Sequence, residues 1–138
     1  MRLNAFLFRF PMIVVALLLA LPLAAQQSEP TEDNPNIYPR MAARLVELGV
    51  PVLDVRSEEE VAETGMVEGA TRISHDQLAE IETFLGNDEN AAVVLYCGSG
   101  RRASRVIEAM RERGYGGLVN AGGYEDLIDA LESAGDEG

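Results

Sequence analysis

A short apolar run, residues 92–96, is the feature that most constrains how this chain can fold. The run is uninterrupted and rich in β-branched side chains, which predicts a strand buried on both faces, as in a parallel sheet. Cys97 ends the run, glycines stand at positions 98 and 100, and apolar residues then recur at helical spacing at positions 106, 107 and 110. The pattern therefore predicts a strand-to-helix loop over residues 97–102.

This predicted loop contains the only cysteine in the 138 residues. Backbone N–H groups in such a loop converge with a helix N-terminus, which carries roughly half a positive charge and favours anions. Nearby cations also favour the thiolate form of a cysteine, and arginines stand at positions 101, 102 and 105. A lone cysteine at a strand end can be a small buried hydrophobe. Because glycine-serine-glycine followed by two arginines has no packing purpose, we interpret Cys97 as a nucleophile in an anion-binding loop.

Residues 1–25 have the pattern of a secretory signal peptide. Arg2 and Arg9 precede an apolar run from Phe10 to Ala25, which ends in the small residues Ala24 and Ala25. The alternative is an uncleaved membrane anchor, but the run is shorter than the roughly 20 residues that cross a bilayer comfortably. We therefore predict cleavage near Ala25, a periplasmic location and no stable membrane insertion after cleavage. The polar, acidic residues 26–35 suit a linker.

The rest of the chain is long enough for one domain, predicted over residues 36–134 with a short tail at 135–138. Its charge is strongly acidic: the whole chain carries −12, and the predicted signal peptide holds two arginines and no acid. Such acidity argues against nucleic acid and anionic membrane surfaces as partners. There is no lysine, which excludes Schiff-base chemistry. A single cysteine also excludes an internal disulfide.

Strand and helix patterns alternate along this domain, which predicts an α/β fold with a parallel sheet covered by helices on both faces. Ligands of such sheets bind beyond the carboxyl ends of the strands, where Cys97 is predicted to lie. The predicted strands are residues 37–38, 51–55, 69–73, 92–96 and 117–120, with a turn at 122–123. The predicted helices begin at Pro39, after a Ser57–Glu60 capping box, after a Ser74–Gln77 capping box, after the Cys97 loop, and before Leu127.

Charged residues near other strand ends are secondary candidates. Asp54 and Arg56 end a predicted strand, and we interpret both as structural support near the site, since buried carboxylates are usually paired. His75, the only histidine, is interpreted as a solvated side chain. The acidic residues 58–60 suit a helix N-terminus better than a metal site, and no other ligand cluster predicts a metal. Tyr124 is a candidate pocket residue.

The stretch from Cys97 to Arg102 resembles the CxxGxR active-site loop of the rhodanese family of sulfurtransferases. Residues 53–56 resemble the strand signature of that family, and residues 60–70 and 122–123 resemble its E…GHIxGA and glycine-pair stretches. The resemblance covers roughly residues 36–131. Met66 and Leu127 depart from it, standing where the family usually has histidine and tryptophan.

The resemblance implies a rhodanese-like three-layer fold with about five parallel strands. It also implies a sulfurtransferase in which Cys97 takes a sulfane sulfur from thiosulfate or a similar small anion and passes it, as a persulfide, to a thiol or cyanide. No cofactor is needed. The residues expected to hold the donor are Gly98, Ser99, Gly100, Arg101 and Arg102.

Two alternatives remain open on the sequence alone. One is a partner-dependent sulfur carrier or redox-sensing module, whose partner would be an envelope protein. The other is a cysteine phosphatase or arsenate reductase, whose Cys-x5-Arg signature would need arginine at position 103. That residue is Ala103, and a shorter loop would misplace its donors around a tetrahedral anion.

Overall fold

Helices and strands alternate from residue 37 to residue 135, the range that the computed structural model of the protein describes. The predicted signal peptide, the linker at 26–35 and residues 136–138 of the predicted tail lie outside the described residues. The helices are α1 Pro39–Glu47, α2 Glu58–Thr64, α3 Leu78–Leu85, α4 Arg101–Arg111 and α5 Tyr124–Gly135. The strands are β1 Val52–Asp54, β2 Thr71–Arg72, β3 Val93–Cys97 and β4 Leu118–Gly123.

All the strands run parallel, in the order β2-β1-β3-β4. The chain passes from the central strand β1 to the edge strand β2 on one side of the sheet, and from the central strand β3 to the edge strand β4 on the other side. The carboxyl ends of β1 and β3 therefore form the point at which the winding direction reverses. Ligands of open α/β sheets bind at such points. Cys97 is the last residue of β3, so the predicted nucleophile lies at this point.

Each face of the sheet is covered by its own apolar cluster. All five residues of β3 are buried, as predicted for a strand covered on both faces. Cys97 belongs to the cluster formed with α3 and α4, whereas Tyr96 belongs to the cluster formed with α1 and α5. A fully buried aliphatic side chain contributes about 1.5–3 kcal/mol, so these clusters hold the three layers together. The predicted α/β architecture is confirmed.

The predicted strand count is too high. The described residues form a four-stranded sheet, and the expected first strand is reduced to one isolated parallel bridge between Ile37 and Asn120. The N–H of Tyr38 also donates to the carbonyl of Asn120 at 2.8 Å. Pro39 follows immediately and begins α1. Because proline has no N–H and favours the first helical position, the strand pairing ends there.

Two of the expected boundaries near the site are wrong. Three residues, 98–100, connect β3 to α4, where the sequence predicted a six-residue loop over 97–102. Gly100 is the N-cap of α4 and has a left-handed backbone with φ of 81°, which turns the chain within one residue. At the other boundary, residues 122–123 end β4 instead of forming a separate turn, and α5 begins directly at Tyr124.

The two expected capping boxes differ in outcome. The box before α2 is confirmed, since the N–H of Glu60 donates to Ser57 Oγ and the N–H of Ser57 donates to Glu60 Oε2 at 3.0 Å. The second box does not begin a helix. There the N–H of Ser74 donates to Gln77 Oε1 and the N–H of Gln77 donates to the Ser74 carbonyl, which closes a turn. α3 begins after this turn, at Leu78.

None of the helices between residues 37 and 135 is long and apolar enough to cross a membrane.

Candidate active site

The candidate site is built at the carboxyl edge of the sheet, around the sulfur of Cys97. This side chain is fully buried. Its Sγ accepts a hydrogen bond from the backbone N–H of Gly100 at 3.1 Å. The two loop residues between them, Gly98 and Ser99, are exposed. The sulfur therefore faces the N-terminus of α4, whose N–H groups and partial positive charge favour an anion at this position.

Glycine is required at position 100 because another chain segment lies against it. A Cβ on Gly100 would stand 2.5 Å from Ile37 Cδ1 and 3.0 Å from Gly122 Cα. Position 123 also has no room for a side chain, because a Cβ on Gly123 would stand 2.6 Å from the carbonyl oxygen of Gly98. The glycine pair at the end of β4 thus lets that strand pack directly on the backbone of the Cys97 loop. Side chains at these positions would displace the loop.

Asn120 binds the backbone of the Cys97 loop. Its role was not predicted from the sequence. This buried residue of β4 donates from Nδ2 to the Gly100 carbonyl at 2.9 Å and to Ser104 Oγ at 2.8 Å. Its Oδ1 accepts from the N–H of Gly122 at 2.9 Å. A polar side chain inside an otherwise apolar strand is the sequence signal that could have identified it, because buried amides need partners.

Arg102, expected to contact the donor, is paired with Glu60 of α2. Its Nη1 donates to Glu60 Oε2 at 2.6 Å and its Nη2 donates to Oε1 at 2.5 Å, a bidentate ion pair. The pair lies directly against the loop, since a Cβ on Gly98 would stand 3.2 Å from Arg102 Nη2 and 3.3 Å from Glu60 Oε1. From the sequence, Glu60 was expected in a capping box and in one motif of the resembling family, but its pairing with Arg102 was not expected. In the structure Glu60 both completes the capping box and pairs with Arg102.

This ion pair is strongly stabilised in its charged form. The hydrogen bonds that Arg102 donates, together with the one from the N–H of Ser57, lower the pKa of Glu60 to about 2. Partial burial of the carboxylate opposes this shift but is the smaller effect. The hydrogen bonds that Arg102 donates to Glu60 raise the pKa of Arg102, although partial burial opposes this effect, and the neighbouring Cys97 raises it further. Both groups are therefore ionised at any pH at which the protein would be assayed.

Asp54 and Arg56 form a second ion pair, which is buried. Arg56 Nη2 donates to Asp54 Oδ2 at 2.6 Å and to the Gly65 carbonyl at 2.7 Å, and its Nη1 donates to Thr64 Oγ1 at 2.8 Å. Because Asp54 ends β1 and Thr64 ends α2, the pair ties the C-terminal end of α2 to the sheet. Glu60 lies within α2, so Arg56 also fixes the helix that presents Glu60 to the loop.

Two tyrosines complete this side of the site. The guanidinium of Arg56 stacks over the ring of Tyr124, 4.4 Å from its centroid, and lies 5.4 Å from the centroid of Tyr96. Stacking of this kind suits the planar guanidinium group. Tyr124 Oη donates to the Thr64 carbonyl at 3.1 Å, and Tyr96 Oη accepts from the N–H of Val67. Burial raises the pKa of Tyr96, so its hydroxyl stays protonated.

A cavity of about 240 Å³ opens beside the loop. Its lining includes Gly98 and Tyr124, as well as the side chains of Arg56, Glu60, Glu63 and Glu125. The expectation that Tyr124 lines a pocket is confirmed. Arg56 is buried and paired with Asp54, and Glu60 is paired with Arg102, whereas Glu63 and Glu125 are exposed. The mouth of the cavity is therefore acidic.

Arg101 and His75 are the other two side chains that the sequence singled out. Arg101 is exposed in the first turn of α4. His75 follows β2, and its Nδ1 is buried without a hydrogen-bond partner among the described residues. Within residues 37–135, no three histidine, cysteine, aspartate or glutamate side chains are grouped so that they could hold a metal ion.

The arrangement of a cysteine at a strand end, a glycine-rich loop and an arginine-bearing helix agrees with comparisons to known proteins. A family model described as Rhodanese-like domain matches residues 39–130. The chain belongs to the rhodanese-like family. Its rhodanese-like domain is 33% identical over 75 residues to thiosulfate sulfurtransferase PspE of Escherichia coli, which covers 54% of this chain and 71% of the relative.

Solved structures agree with the rhodanese-like assignment. A human single-domain sulfurtransferase is 26% identical, with a TM-score of 0.51, and covers 62% of this chain and 88% of its own. Protein hp1203 of Helicobacter pylori is 28% identical, with a TM-score of 0.53, and covers 64% of this chain and 80% of its own.

The two departures from the rhodanese motifs fall at different places in the fold. Met66 is partly exposed, at 37% of its surface, after α2. Leu127 is fully buried in the apolar cluster between the sheet and the helices α1 and α5. Neither residue lines the cavity beside the loop. Leucine replaces the usual tryptophan as a core side chain, so this departure falls in the packing between the sheet and the helices α1 and α5.

Proposed function

We propose that this rhodanese-like domain is a sulfurtransferase that uses Cys97 as its nucleophile. The Cys97 thiolate attacks the outer sulfur of thiosulfate or a similar donor. The sulfur–sulfur bond of the donor breaks, sulfite leaves with the electron pair, and Cys97 carries a persulfide. A thiol or cyanide then attacks the outer sulfur of that persulfide and regenerates the thiolate.

The observation that carries this proposal is the position of Cys97 at the end of β3. Its sulfur accepts from the N–H of Gly100 at the N-terminus of α4, where a charged sulfur is favoured. The remaining loop N–H groups would stabilise the persulfide and the oxygens of the donor, and Arg102 would contribute when the donor displaces Glu60. The likeness to a thiosulfate sulfurtransferase supports the same reaction class. No step requires a cofactor.

Intact mass spectrometry tests the proposal most directly. Protein incubated with thiosulfate should gain one sulfur atom, and peptide mapping should locate it on Cys97. The added sulfur should disappear on addition of cyanide, with formation of thiocyanate. Protein that gains no sulfur from thiosulfate or from a small persulfide would contradict the assignment.

Replacing Arg102 by alanine should reduce thiosulfate turnover roughly ten- to a hundredfold, because a charge-assisted hydrogen bond contributes on the order of 1.5–3 kcal/mol. The replacement also leaves Glu60 without its partner beside the loop, which repels an anionic donor. Alkylation of Cys97 by neutral iodoacetamide should fall less. If both rates fall by the same factor, Arg102 acts on the thiol or the loop and not on the donor.

A partner-dependent sulfur carrier is the second candidate, and the burial of Cys97 favours it. A sulfur with no exposed surface needs a movement of the loop before a large acceptor can reach it. A protein partner could supply that movement. Transfer to small thiols or cyanide at rates well below transfer to a protein thiol would favour this candidate.

We further propose that the protein is exported to the periplasm. The charged, apolar and small-residue zones of residues 1–25 support this location. N-terminal sequencing of the protein recovered from the cell envelope should begin near Gln26. A sequence that begins at Met1 would instead support the membrane-anchor alternative.

A further inference from the structure

We infer that Glu60 is a positioning residue that sets the charge preference of the site by occupying Arg102. Its carboxylate competes with anionic sulfur donors for the guanidinium, so the site discriminates against such donors and favours sulfane sulfur of low charge. The inference rests on the proposed function only in naming sulfur donors. The competition itself concerns any small anion that approaches Cys97.

The geometry of the ion pair supports this role. Both terminal nitrogens of Arg102 already donate to the two oxygens of Glu60, at 2.6 and 2.5 Å. A fork-to-fork arrangement uses the same donors that would bind the oxygens of a sulfonate or a carboxylate. An anionic donor can therefore use this face of Arg102 only by displacing Glu60.

The location of the pair makes the competition relevant to Cys97. Nη2 of Arg102 and Oε1 of Glu60 both lie within 3.3 Å of the position a Cβ of Gly98 would take. Gly98 directly follows Cys97 and lines the 240 Å³ cavity, as does Glu60. A molecule in this cavity therefore lies beside Glu60 and beside the residue that follows Cys97.

The charged side chains around the cavity also disfavour anionic donors. Glu63 and Glu125 line it with exposed carboxylates, and the buried Arg56 is compensated by Asp54. Glu63 also lies in the last turn of α2, where the helix dipole disfavours a negative charge. With Arg102 neutralised, the cavity presents more negative than positive charge to an approaching donor.

Replacing Glu60 by glutamine removes the charge and keeps the local fold. Glutamine at this position still completes a capping box with Ser57. The test compares alkylation of Cys97 by two reagents of similar size, anionic iodoacetate and neutral iodoacetamide. The ratio of the two rates cancels any change in thiolate fraction or loop exposure that affects both reagents.

We expect Glu60→Gln to raise the iodoacetate-to-iodoacetamide rate ratio roughly tenfold, since Arg102 becomes available to the anion. The KM for thiosulfate should fall by a similar factor, with a smaller change in kcat. Glu59→Gln is the matched control: it removes the same charge from the same helix, and Glu59 is exposed and lies outside the cavity lining. Its ratio should stay within about twofold of the unmodified protein, because exposed charges are screened by salt.

An unchanged ratio in Glu60→Gln, or an equal change in Glu59→Gln, would overturn the inference. So would an equal acceleration of both reagents, because Glu60 would then act on the thiol or the loop alone. Alkylation needs no sulfur transfer, so the ratio tests the inference even if thiosulfate is not a donor. Loss of thiosulfate activity with the expected ratio would count against the proposed function and support the role of Glu60.

Discussion

Replacing Cys97 by serine should abolish sulfur transfer from thiosulfate to cyanide, reducing it to the uncatalysed background. Serine has nearly the same size as cysteine, and its oxygen can still accept from the N–H of Gly100. It cannot form a persulfide, and its hydroxyl is a weak nucleophile without an adjacent base. Thiocyanate formation, followed over time at saturating thiosulfate, measures the effect.

The control for this prediction is the folding of the Cys97→Ser variant, because an unfolded variant would also lose activity. The circular dichroism spectrum and the urea midpoint of Cys97→Ser should stay close to those of the unmodified protein, although burying a hydroxyl in an apolar cluster has a modest cost. Cys97→Ala provides a second variant without that hydroxyl. Transfer that persists in either folded variant would rule out Cys97 as the nucleophile.

Replacing Asp54 by alanine should lower the free energy of unfolding by about 3–5 kcal/mol, because it leaves a buried arginine without its counterion. The side chain of Arg56 is only 3% exposed, so water cannot replace the lost carboxylate. Asp54 also accepts from the backbone N–H of Arg56 at 2.9 Å. Urea denaturation, monitored by circular dichroism, measures the change.

The surface pair of Arg113 and Glu82 provides the control for this prediction. Both side chains are about two-fifths exposed, at 39% and 43%. Removing Glu82 should change the free energy of unfolding by less than about 1 kcal/mol, as for most exposed pairs. If Asp54→Ala cost no more than Glu82→Ala, the buried pair would not support the fold as argued.

Cys97→Ser and Asp54→Ala also distinguish loss of the nucleophile from loss of folding. Asp54→Ala should lower activity mainly by unfolding, so the fraction still folded at low temperature should retain transfer. Arg56 holds the end of α2 through Thr64 and Gly65, and α2 carries Glu60. Any residual loss of activity in folded Asp54→Ala would therefore reflect a displaced Glu60–Arg102 pair.

The local elements were predictable because each depends on residues close together in the chain. A buried apolar run followed by Cys97, two loop glycines and a helical pattern specifies a strand, a turn and a helix. The Ser57–Glu60 capping box involves residues three apart, and it forms as expected. The position of Cys97 at a carboxyl edge follows from the parallel alternation of strands and helices.

Some expectations failed because a competing local or tertiary effect prevailed. The Ser74–Gln77 pattern closes a turn instead of capping a helix, and the residues at 37–38 make one bridge instead of a strand. The glycines at 122–123 extend β4, since their lack of side chains lets the strand pack against Gly98 and Ile37. The pattern of residues did not distinguish a glycine needed for a turn from one needed for close packing.

The sequence by itself determined the fold class, the identity of the nucleophile candidate and its place between a strand and a helix, because short-range periodicity and backbone preferences decide these. Only the tertiary structure decided what Arg102 does. Its partner, Glu60, lies 42 residues away in the chain, and the two meet because β1 and β3 are neighbours whose following segments leave the same edge of the sheet. Ion pairing depends on distances of a few ångströms, and no local pattern specifies such distances between remote segments.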